Sequence, residues 1–385
     1  MTAAGTDISP GGDGACPGEG PLVVFAGGGT GGHLYPALSV VEAIRESAAG
    51  ARFVFFATDR PVDREVLGAA GQNFVAQGVM APAMAPWRWP AFVRAWRASV
   101  RLCRLYFEVH RPAVVIGTGA YASVPAVRQA LRMGVPTALL NPDVIPGRAN
   151  RWLASRVDVV FAQWGESKRH FPSRVNVEVA GCPVRLAVCI ADRAAGLDRF
   201  GLSLDRRTLL VTGASQGARS INQALVCLAG ELAGLTGWQV LHQTGETDLQ
   251  TVHEAYSRAG VAAVCIKYTD QMGEALAAAD LVISRAGAST LAELTATGTP
   301  SILLPYPYHR DMHQLANAEV LAARGAARIC RDEIDGAKTA KALGGPLLGL
   351  MADEQELSRM SQAARALGAP GAADVIARSV IGMSQ

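Results

Sequence analysis

The amino-acid sequence predicts an α/β fold composed of two doubly wound, Rossmann-like domains that face each other across a cleft. Short apolar runs alternate with helical patterns, a glycine-rich turn follows the first run, and a second turn of small residues follows a later restart of the pattern. Strands that alternate with helices of about 10–15 residues are typical of parallel sheets covered by helices on both faces. The ten predicted strands are residues 22–26, 52–57, 113–116, 137–140, 157–162, 208–212, 239–243, 262–266, 281–284 and 301–304.

The restart near residue 208 divides the 385 residues into two domains of ordinary size. Pro183 and several turn-forming residues precede it. Residues 1–20 lack the basic start and the apolar run of a signal peptide, so we expect a flexible extension there. The remaining regions are an N-terminal domain at 21–185, a linker at 186–200, a C-terminal domain at 201–350, and C-terminal helices at 351–385 that pack back on the N-terminal domain.

The composition is that of a globular protein, with 50% hydrophobic and 18% charged residues. A net charge of +3 is too small to indicate nucleic-acid binding. The seven cysteines are scattered without a C-x-x-C pair, which disfavours a disulfide framework and a zinc site and suits a reducing compartment. No apolar run reaches the ~20 residues of a spanning helix, so any membrane contact is expected to be peripheral.

The first turn, GGGTGGH at 27–33, contains five glycines and lies between a strand and a helix predicted to begin near Pro36. In this geometry backbone N–H groups and a helix N-terminus bind phosphate, although a turn without a ligand is the alternative. Three of the glycines also match G-x-G-x-x-G, which leaves a dehydrogenase open. Asp59 would then bind the ribose, but it lies 27 residues beyond Gly32, further than the usual ~20. His33 is also an unusual neighbour for a loop that only holds a pyrophosphate.

The second turn, GASQG at 213–217, matches the G-x-S-x-G turn that presents a nucleophilic serine in α/β-hydrolases. A hydrolase has no evident use for a nucleotide-type domain before this turn. We therefore favour a diphosphate site in which the Ser215 hydroxyl and neighbouring N–H groups bind the ligand.

A third segment places small and polar residues after the strand at 281–284. Ala288, Ser289 and Thr290 begin a helix whose first turn can bind an anion. Glu293 follows one turn later, where it can accept hydrogen bonds from two ribose hydroxyls. The alternative for Glu293 is a solvated helix face favoured by the helix dipole.

The loop after the strand at 301–304 carries His309, Asp311, His313 and Gln314. The spacing of the two histidines allows a metal pair. We interpret it as a polar helix start, because no third ligand is in view, and predict no metal site.

Within residues 87–107, a helix is predicted from Pro90, with arginines on one side and apolar residues on another. Basic helices that bear tryptophan are typical of proteins that lie on anionic membrane surfaces. A core helix with a solvated arginine face is the alternative. The candidate membrane residues are Trp89, Arg94, Trp96, Arg97, Arg101 and Arg104.

Five segments in this order resemble the MurG family of glycosyltransferases over about residues 21–380. They are GGTGGHLYPALSV, GCPVR, TGASQGARSINQAL, RAGASTLAELTATGTPSILLPYPYHRDMHQLANA and, less specifically, GTGAYASVP. The resemblance implies a GT-B fold, with a lipid acceptor at the N-terminal domain and a nucleotide sugar in the C-terminal domain. It also implies inverting transfer of N-acetylglucosamine from UDP-N-acetylglucosamine to the muramoyl C4 hydroxyl of undecaprenyl-diphospho-muramoyl-pentapeptide, in peptidoglycan synthesis.

The resemblance further implies a peripheral protein at the cytoplasmic face of the cell membrane, without a metal or other cofactor. The implied partners are UDP-N-acetylglucosamine, the lipid acceptor, an anionic membrane surface and other proteins of cell-wall synthesis, but no nucleic acid. His33 would be the catalytic residue, since a histidine with a pKa near neutrality can take the proton of the attacking hydroxyl. N–H groups and helix N-termini would stabilise the charge of the leaving UDP.

By the same resemblance, twelve residues would bind the donor. Those of the loop and the diphosphate contacts are Thr30, Gly31, Gly32, Arg185, Ser215, Ala288, Ser289 and Thr290. Those of the nucleoside and the sugar are Thr269 at the uracil, Glu293 at the ribose, and Gln314 and Asp143 at the sugar.

The sequence departs from the family at three places. Residues 140–143 are Leu-Asn-Pro-Asp, where the family usually has His-Glu-Gln-Asn, so Asp143 replaces an asparagine that contacts the donor sugar. Ala120 and Ala214 replace expected glycines. Two alternatives therefore stay open: a GT-B transferase that moves another UDP-hexose to a lipid acceptor, and a non-catalytic subunit that binds nucleotide sugars.

Overall fold

The computed structural model describes residues 20–80, 86–213, 217–308 and 311–384. Contacts within the chain group these residues into two compact units. The first unit runs to Pro183 and resumes at Gly371, and the second covers Val184–Pro370.

The first unit contains a seven-stranded parallel sheet in the order β3-β2-β1-β4-β5-β6-β7. Its strands are β1 Leu22–Ala26, β2 Arg52–Thr58, β3 Phe74–Gln77, β4 Val114–Gly117, β5 Thr137–Asn141, β6 Val159–Ala162 and β7 Val177–Val179. Its first five helices are α1 Gly31–Ser47, α2 Pro61–Ala69, α3 Trp89–His110, α4 Ser123–Arg132 and α5 Arg148–Leu153. Short 3-10 turns lie at Pro86–Arg88 and Gly165–His170.

Strand β1 shows why the central strands are continuous apolar runs. Val23 and Phe25 enter the core on one side of the sheet, whereas Val24 and Ala26 enter the core on the other. Both faces of β1 are therefore buried, which removes the alternation of apolar and polar residues seen in half-exposed strands.

The second unit contains a six-stranded parallel sheet in the order β10-β9-β8-β11-β12-β13. Its strands are β8 Arg207–Thr212, β9 Trp238–Gln243, β10 Ala263–Ile266, β11 Leu281–Ser284, β12 Ser301–Leu303 and β13 Ala327–Ile329. Its helices are α6 Leu186–Cys189, α7 Arg193–Arg199, α8 Arg219–Cys227, α9 Ala229–Ala233, α10 Leu249–Ala259, α11 Met272–Ala278, α12 Ala288–Thr297, α13 His313–Ala323, α14 Gly336–Ala352 and α15 Glu354–Leu367.

The ten predicted strands are present, and the described residues contain three further strands that were not predicted. These are β3, β7 and β13, which lie at the edges of the two sheets. Most of their residues are exposed or half-buried, so they lack the continuous apolar run on which the prediction depended.

Two regions differ from the expected domain plan. Residues 186–200, expected as a linker, form α6 and α7 in the second unit. Gly196 of α7 approaches α11 so closely that a Cβ there would lie 2.3 Å from the Glu274 carbonyl oxygen. Of residues 351–385, α15 belongs to the second unit, whereas the last helix, α16 Ala372–Met383, packs on α1 in the first.

Helix α1 also begins earlier than predicted, at Gly31 instead of near Pro36. Pro36 therefore lies inside the helix, and the catalytic candidate His33 lies in its first turn. Among the described helices, none combines the length and the apolar composition that crossing a membrane requires.

Candidate active site

In the first unit, the predicted residues gather where the order of strands reverses, at the carboxyl ends of β1 and β4. Ligands of doubly wound sheets bind at this point. The glycine loop follows β1 and leads into α1, with Thr30 at the N-cap and Gly31 and Gly32 in the first turn. Gly119 follows β4 on the neighbouring side.

His33 lies half-buried between these two loops. Its Nδ1 atom is 3.1 Å from the Thr30 hydroxyl. A Cβ on Gly119 would lie 3.0 Å from the His33 Cδ2 atom, so the β4 loop passes directly against the ring. A side chain at this position would displace the ring, and the φ of +104° at Gly119 favours glycine.

Burial lowers the pKa of His33 below its usual value, against the raising effects of Asp143, of a hydrogen bond with the Gly28 backbone and of Asp63. The imidazole is therefore neutral at pH 7. A neutral imidazole can accept a proton, which is the property that general-base catalysis requires.

His33 and Gly32 line a small recess together with Thr118, Asn141 and residues from 181 to 183. The Thr118 hydroxyl is buried and has no hydrogen-bond partner within the described parts of the chain. The recess therefore presents His33 as a proton acceptor, whereas the Thr118 hydroxyl is buried beneath its surface.

The Leu-Asn-Pro-Asp loop after β5 is closed by buried side-chain hydrogen bonds. Asn141 donates to the Asp143 carbonyl at 2.9 Å, and Asn150 donates to the Leu140 carbonyl at 2.9 Å. Ser167 donates to the Asp143 carbonyl at 3.2 Å. The Asp143 carboxylate acts electrostatically on His33. Its expected contact with the donor sugar stays a prediction.

Asp63 was not identified from the sequence. It is fully buried in α2 and accepts hydrogen bonds from the Gly29 and Thr58 backbone N–H groups. The dehydrogenase alternative had selected Asp59, which is exposed. The sequence did contain one signal for Asp63: it is an acidic residue in the first turn of the helix that starts at Pro61, after β2.

The second unit has an equivalent reversal of strand order, between β8 and β11. A Cβ on Gly213 would lie 2.1 Å from the Ala218 nitrogen, and one on Gly217 would lie 2.1 Å from the Thr244 carbonyl oxygen. Both glycines are therefore fixed by close backbone approach. The predicted ligand residue Ser215 and the substituted Ala214 lie outside the described residues.

Helix α12 begins at this edge with Ala288, Ser289 and Thr290 in its first turn. Glu293 follows and is half-buried; burial raises its pKa to about 7, and the Arg185 charge opposes this rise. Arg185 occupies the N-cap position of α6. This helix also carries Cys189, whose pKa is raised by burial and by the Glu293 charge. The predicted nucleotide residues Arg185 and Glu293 thus interact in the same unit.

Arg285, which follows β11, is the second residue that the sequence did not reveal. It forms a buried ion pair of 2.6 Å with Asp332 and donates to the Ser220 hydroxyl at 3.0 Å and to the Leu304 carbonyl at 3.1 Å. Its guanidinium also lies 5.5 Å from the centre of the Tyr306 ring. Arg285 therefore connects the ends of β11 and β12 to the start of α8.

The nucleoside and sugar candidates have their own local hydrogen bonds. The Thr269 hydroxyl, after β10, accepts a hydrogen bond from the Gln271 N–H at 3.0 Å. Gln314, in the first turn of α13, accepts one from the Tyr306 N–H at 2.9 Å. These bonds fix both side chains, and their contacts with uracil and sugar stay predictions.

His309 lies outside the described residues, and His313 is bonded to Asp311 at 2.7 Å. In the part of the chain that the structure describes, no three His, Cys, Asp or Glu side chains gather as metal ligands would.

The amphipathic helix α3 packs on the first unit through Ser99, Cys103 and Phe107. Its candidate arginines are exposed. Trp96, named as a membrane residue, instead packs half-buried against the core, with Arg128 above its ring at 5.9 Å. The Trp96 ring lies on the inner side of the helix, because Trp96 is on the same apolar face as Cys103 and Phe107.

Comparison with known proteins identifies both units. Residues 23–162 match the N-terminal domain of glycosyltransferase family 28, and residues 208–376 match its C-terminal domain. A relative from Desulforamulus reducens is 35% identical over 372 residues, which cover 93% of this chain and 97% of the relative. One from Moorella thermoacetica is 36% identical over 372 residues, with coverage of 93% and 98%.

Both relatives are named UDP-N-acetylglucosamine–N-acetylmuramyl-(pentapeptide) pyrophosphoryl-undecaprenol N-acetylglucosamine transferase. The crystal structure of Acinetobacter baumannii MurG superposes with a TM-score of 0.72 at 23% identity, covering 94% of this chain and 99% of that one. The predicted fold class, two Rossmann-like domains of the GT-B type, is confirmed. The chain therefore belongs to glycosyltransferase family 28 and, within it, to the MurG family.

Proposed function

We propose that this protein is an inverting N-acetylglucosaminyltransferase of peptidoglycan synthesis. The donor is UDP-N-acetylglucosamine, and the acceptor is the muramoyl C4 hydroxyl of undecaprenyl-diphospho-muramoyl-pentapeptide. The names of the relatives state this sugar donor and this lipid-linked acceptor. Within the chain itself, the observation that carries the proposal is the half-buried, neutral His33 at the end of the glycine loop.

His33 acts as the general base in this mechanism. Its imidazole takes the proton from the acceptor hydroxyl while the oxygen attacks the anomeric carbon of the donor sugar. The bond between that carbon and the diphosphate oxygen breaks, and UDP leaves with the bonding electrons. One displacement inverts the anomeric centre from α in the donor to β in the product.

The second unit supplies the groups for the donor. The N–H groups in the first turn of α12, at Ala288, Ser289 and Thr290, are suited to the diphosphate. Their positive ends stabilise the charge that develops on the leaving UDP, so this mechanism does not call for a divalent cation. Glu293 accepts hydrogen bonds from the two ribose hydroxyls, and the Arg185 charge interacts electrostatically with the Glu293 carboxylate.

The test is transfer of radiolabelled sugar to a short-chain analogue of the lipid acceptor with EDTA present, from UDP-N-acetylglucosamine, UDP-glucose and UDP-galactose. We expect transfer of N-acetylglucosamine alone. His33→Ala should lower kcat by about 10²–10⁴-fold, the usual contribution of a general base, with unchanged affinity for UDP. The matched control is His253→Ala, because His253 is exposed on α10 of the other unit. Loss of activity with EDTA would refute the metal-free mechanism.

Asp143 favours one alternative, a transferase for another UDP-hexose, because it replaces the asparagine that contacts the sugar in the family. Preferred transfer from UDP-glucose or UDP-galactose would support this alternative. Binding of UDP without transfer from any donor would support a non-catalytic subunit.

We also propose that α3 contacts an anionic membrane surface at the periphery of the cell membrane. Trp87 and Trp89, at the start of the helix, are 81% and 48% exposed. Trp89 and Phe92 are in edge contact at 5.7 Å, which forms an aromatic cluster beside the exposed Arg94 and Arg97. Aromatic residues at the interface and arginines at anionic headgroups are the two components of such contacts.

Sedimentation with vesicles that contain anionic lipid tests this contact. Each arginine near an anionic surface contributes about 1 kcal/mol, so Arg94, Arg97 and Arg101 changed together to Gln should weaken binding by about a hundredfold. The control changes three exposed arginines of the second unit instead, which are Arg206, Arg258 and Arg331. Equal binding of the two triple variants would refute the proposed surface.

A further inference from the structure

Asp63 is a buried carboxylate whose hydrogen bonds join the glycine loop to β2. The Gly29 N–H donates to both of its oxygens, at 2.7 and 2.9 Å. Thr58 donates its N–H at 2.9 Å and its hydroxyl at 2.5 Å. A carboxylate without exposed surface is stable only when donors of this kind surround it, so the loop and Asp63 hold each other in place.

The approach of the loop to Asp63 accounts for two of the glycines. A Cβ on Gly28 would lie 2.4 Å from the Asp63 Oδ2 atom, so no side chain fits there. Gly28 and Gly29 have φ values of +136° and +87°, conformations that favour glycine. These two glycines are therefore required by an internal carboxylate, whether or not a ligand is bound.

The residues on both sides of Gly29 bind His33. Gly28 forms a backbone hydrogen bond with His33. Thr30 accepts the His33 backbone N–H at 3.1 Å and places its hydroxyl 3.1 Å from the His33 Nδ1 atom. Because Asp63 holds Gly29 between them, a change at Asp63 is transmitted to His33 through one short segment of backbone.

The charge of Asp63 also reaches His33. Within the described residues, the charges that act on the imidazole are those of Asp143, from the loop after β5, and Asp63, from α2. Both raise the pKa of His33, against the larger lowering effect of burial. Removal of the Asp63 charge should therefore lower the pKa of His33 further.

We infer that Asp63 is a positioning residue for the transfer reaction, which holds the glycine loop by the Gly29 N–H and thereby fixes His33 against the acceptor hydroxyl. The inference rests on the proposed function, in which His33 is the base. Asp63 itself is buried behind the loop and does not reach the acceptor.

The test compares Asp63→Asn with Asp59→Asn, which changes an exposed carboxylate of the same turn. Asp63→Asn keeps the shape but turns an amide towards N–H donors. We expect kcat to fall by at least about tenfold, as for a small misplacement of a catalytic group, with the KM for UDP-N-acetylglucosamine within about twofold. The acidic limb of the pH profile of kcat/KM should move to lower pH. Asp59→Asn should change none of these quantities.

A double variant separates positioning from a purely structural role. Effects that act through one group are not additive, so Asp63→Asn should cause no further loss in a His33→Ala background. A structural role would lower the rate by the same factor in both backgrounds and would leave the acidic limb in place. Either result, or an unchanged kcat in Asp63→Asn, would overturn the inference.

Thr58→Val provides a second route if Asp63→Asn does not fold. It removes one of the donors to Asp63 at a half-buried position, and kcat should fall by about two- to tenfold, as for one lost hydrogen bond. An unchanged kcat would count against the inference. His33→Ala in the same assay separates the two proposals. Full activity of His33→Ala would reject His33 as the base. An inactive His33→Ala together with a fully active Asp63→Asn would reject only the positioning role of Asp63.

Discussion

The protonation of Glu293 should control the affinity for the donor. Burial raises the pKa of this carboxyl from 4.5 to about 7, so about half of it is protonated at neutral pH. A carboxylate accepts hydrogen bonds from two ribose hydroxyls, whereas the protonated group must first lose its proton. The diphosphate of UDP-N-acetylglucosamine stays fully ionised between pH 6 and pH 8, so only the protein titrates in this range.

The magnitude follows from the raised pKa of Glu293. With a pKa of about 7, the ionised fraction rises from about 9% at pH 6 to about 91% at pH 8. The dissociation constant for UDP-N-acetylglucosamine should therefore fall by about tenfold over this interval, equivalent to about 1.4 kcal/mol. The folding stability has the opposite pH dependence, because the folded state binds the proton more tightly than the unfolded state. The stability that this proton contributes is lost as the pH rises through about 7.

Isothermal titration calorimetry in buffers of different ionisation enthalpy measures both the dissociation constant and the protons released. We expect about one proton released at pH 6 and about 0.1 at pH 8. Glu293→Gln should lose the pH dependence and bind more weakly at pH 8 by about 1.5–3 kcal/mol. Glu319→Gln, an exposed position on α13, is the control. A flat dissociation constant, or the same pH dependence in Glu293→Gln, would refute the reasoning.

Three further substitutions test the local geometry. Ala120 has a φ of +58°, so Ala120→Gly should raise the free energy of unfolding by about 0.5–1 kcal/mol in urea titrations, and a loss would contradict the assigned strain. Asp332→Asn leaves the Arg285 charge buried without its partner and should cost about 3–5 kcal/mol in the same measurement; a loss under 1 kcal/mol would argue against the ion pair. Gly217→Ala would place a methyl group against the Thr244 carbonyl, so calorimetry should show at least about tenfold weaker UDP binding. An affinity equal to that of the wild type would contradict the importance of this close approach.

The sequence predicted the central strands because both faces of each strand are buried. In β1, for example, every residue is buried, and the apolar run is continuous. Three of the four edge strands, β3, β7 and β13, gave no such signal, because each pairs with a single neighbour and only part of each strand is covered. The fourth, β10, was predicted from its apolar run although its residues are only half-buried. Sequence patterns record burial of side chains more directly than they record backbone pairing.

The same distinction separates the site residues that were predicted from those that were missed. His33 and Glu293 stand within a few residues of a glycine turn or a helix start, so local spacing indicates them. Asp63 bonds to Gly29 across 34 residues, and Arg285 bonds to Ser220 across 65. These pairs meet only because neighbouring parallel strands bring their carboxyl ends together, and no local pattern contains that information.

The loop at residues 140–143 shows how a departure from the family pattern can be accommodated. Asn141 is buried and bonds to the Asp143 carbonyl, so the sequence Leu-Asn-Pro-Asp closes the loop by its own hydrogen bonds. The Asp143 carboxylate then acts on His33, together with Asp63. Both carboxylates counteract the burial of the imidazole, which would otherwise lower the basicity of His33 further. The departure therefore bears first on the basicity of His33, the proposed base, and any effect on donor choice adds to that.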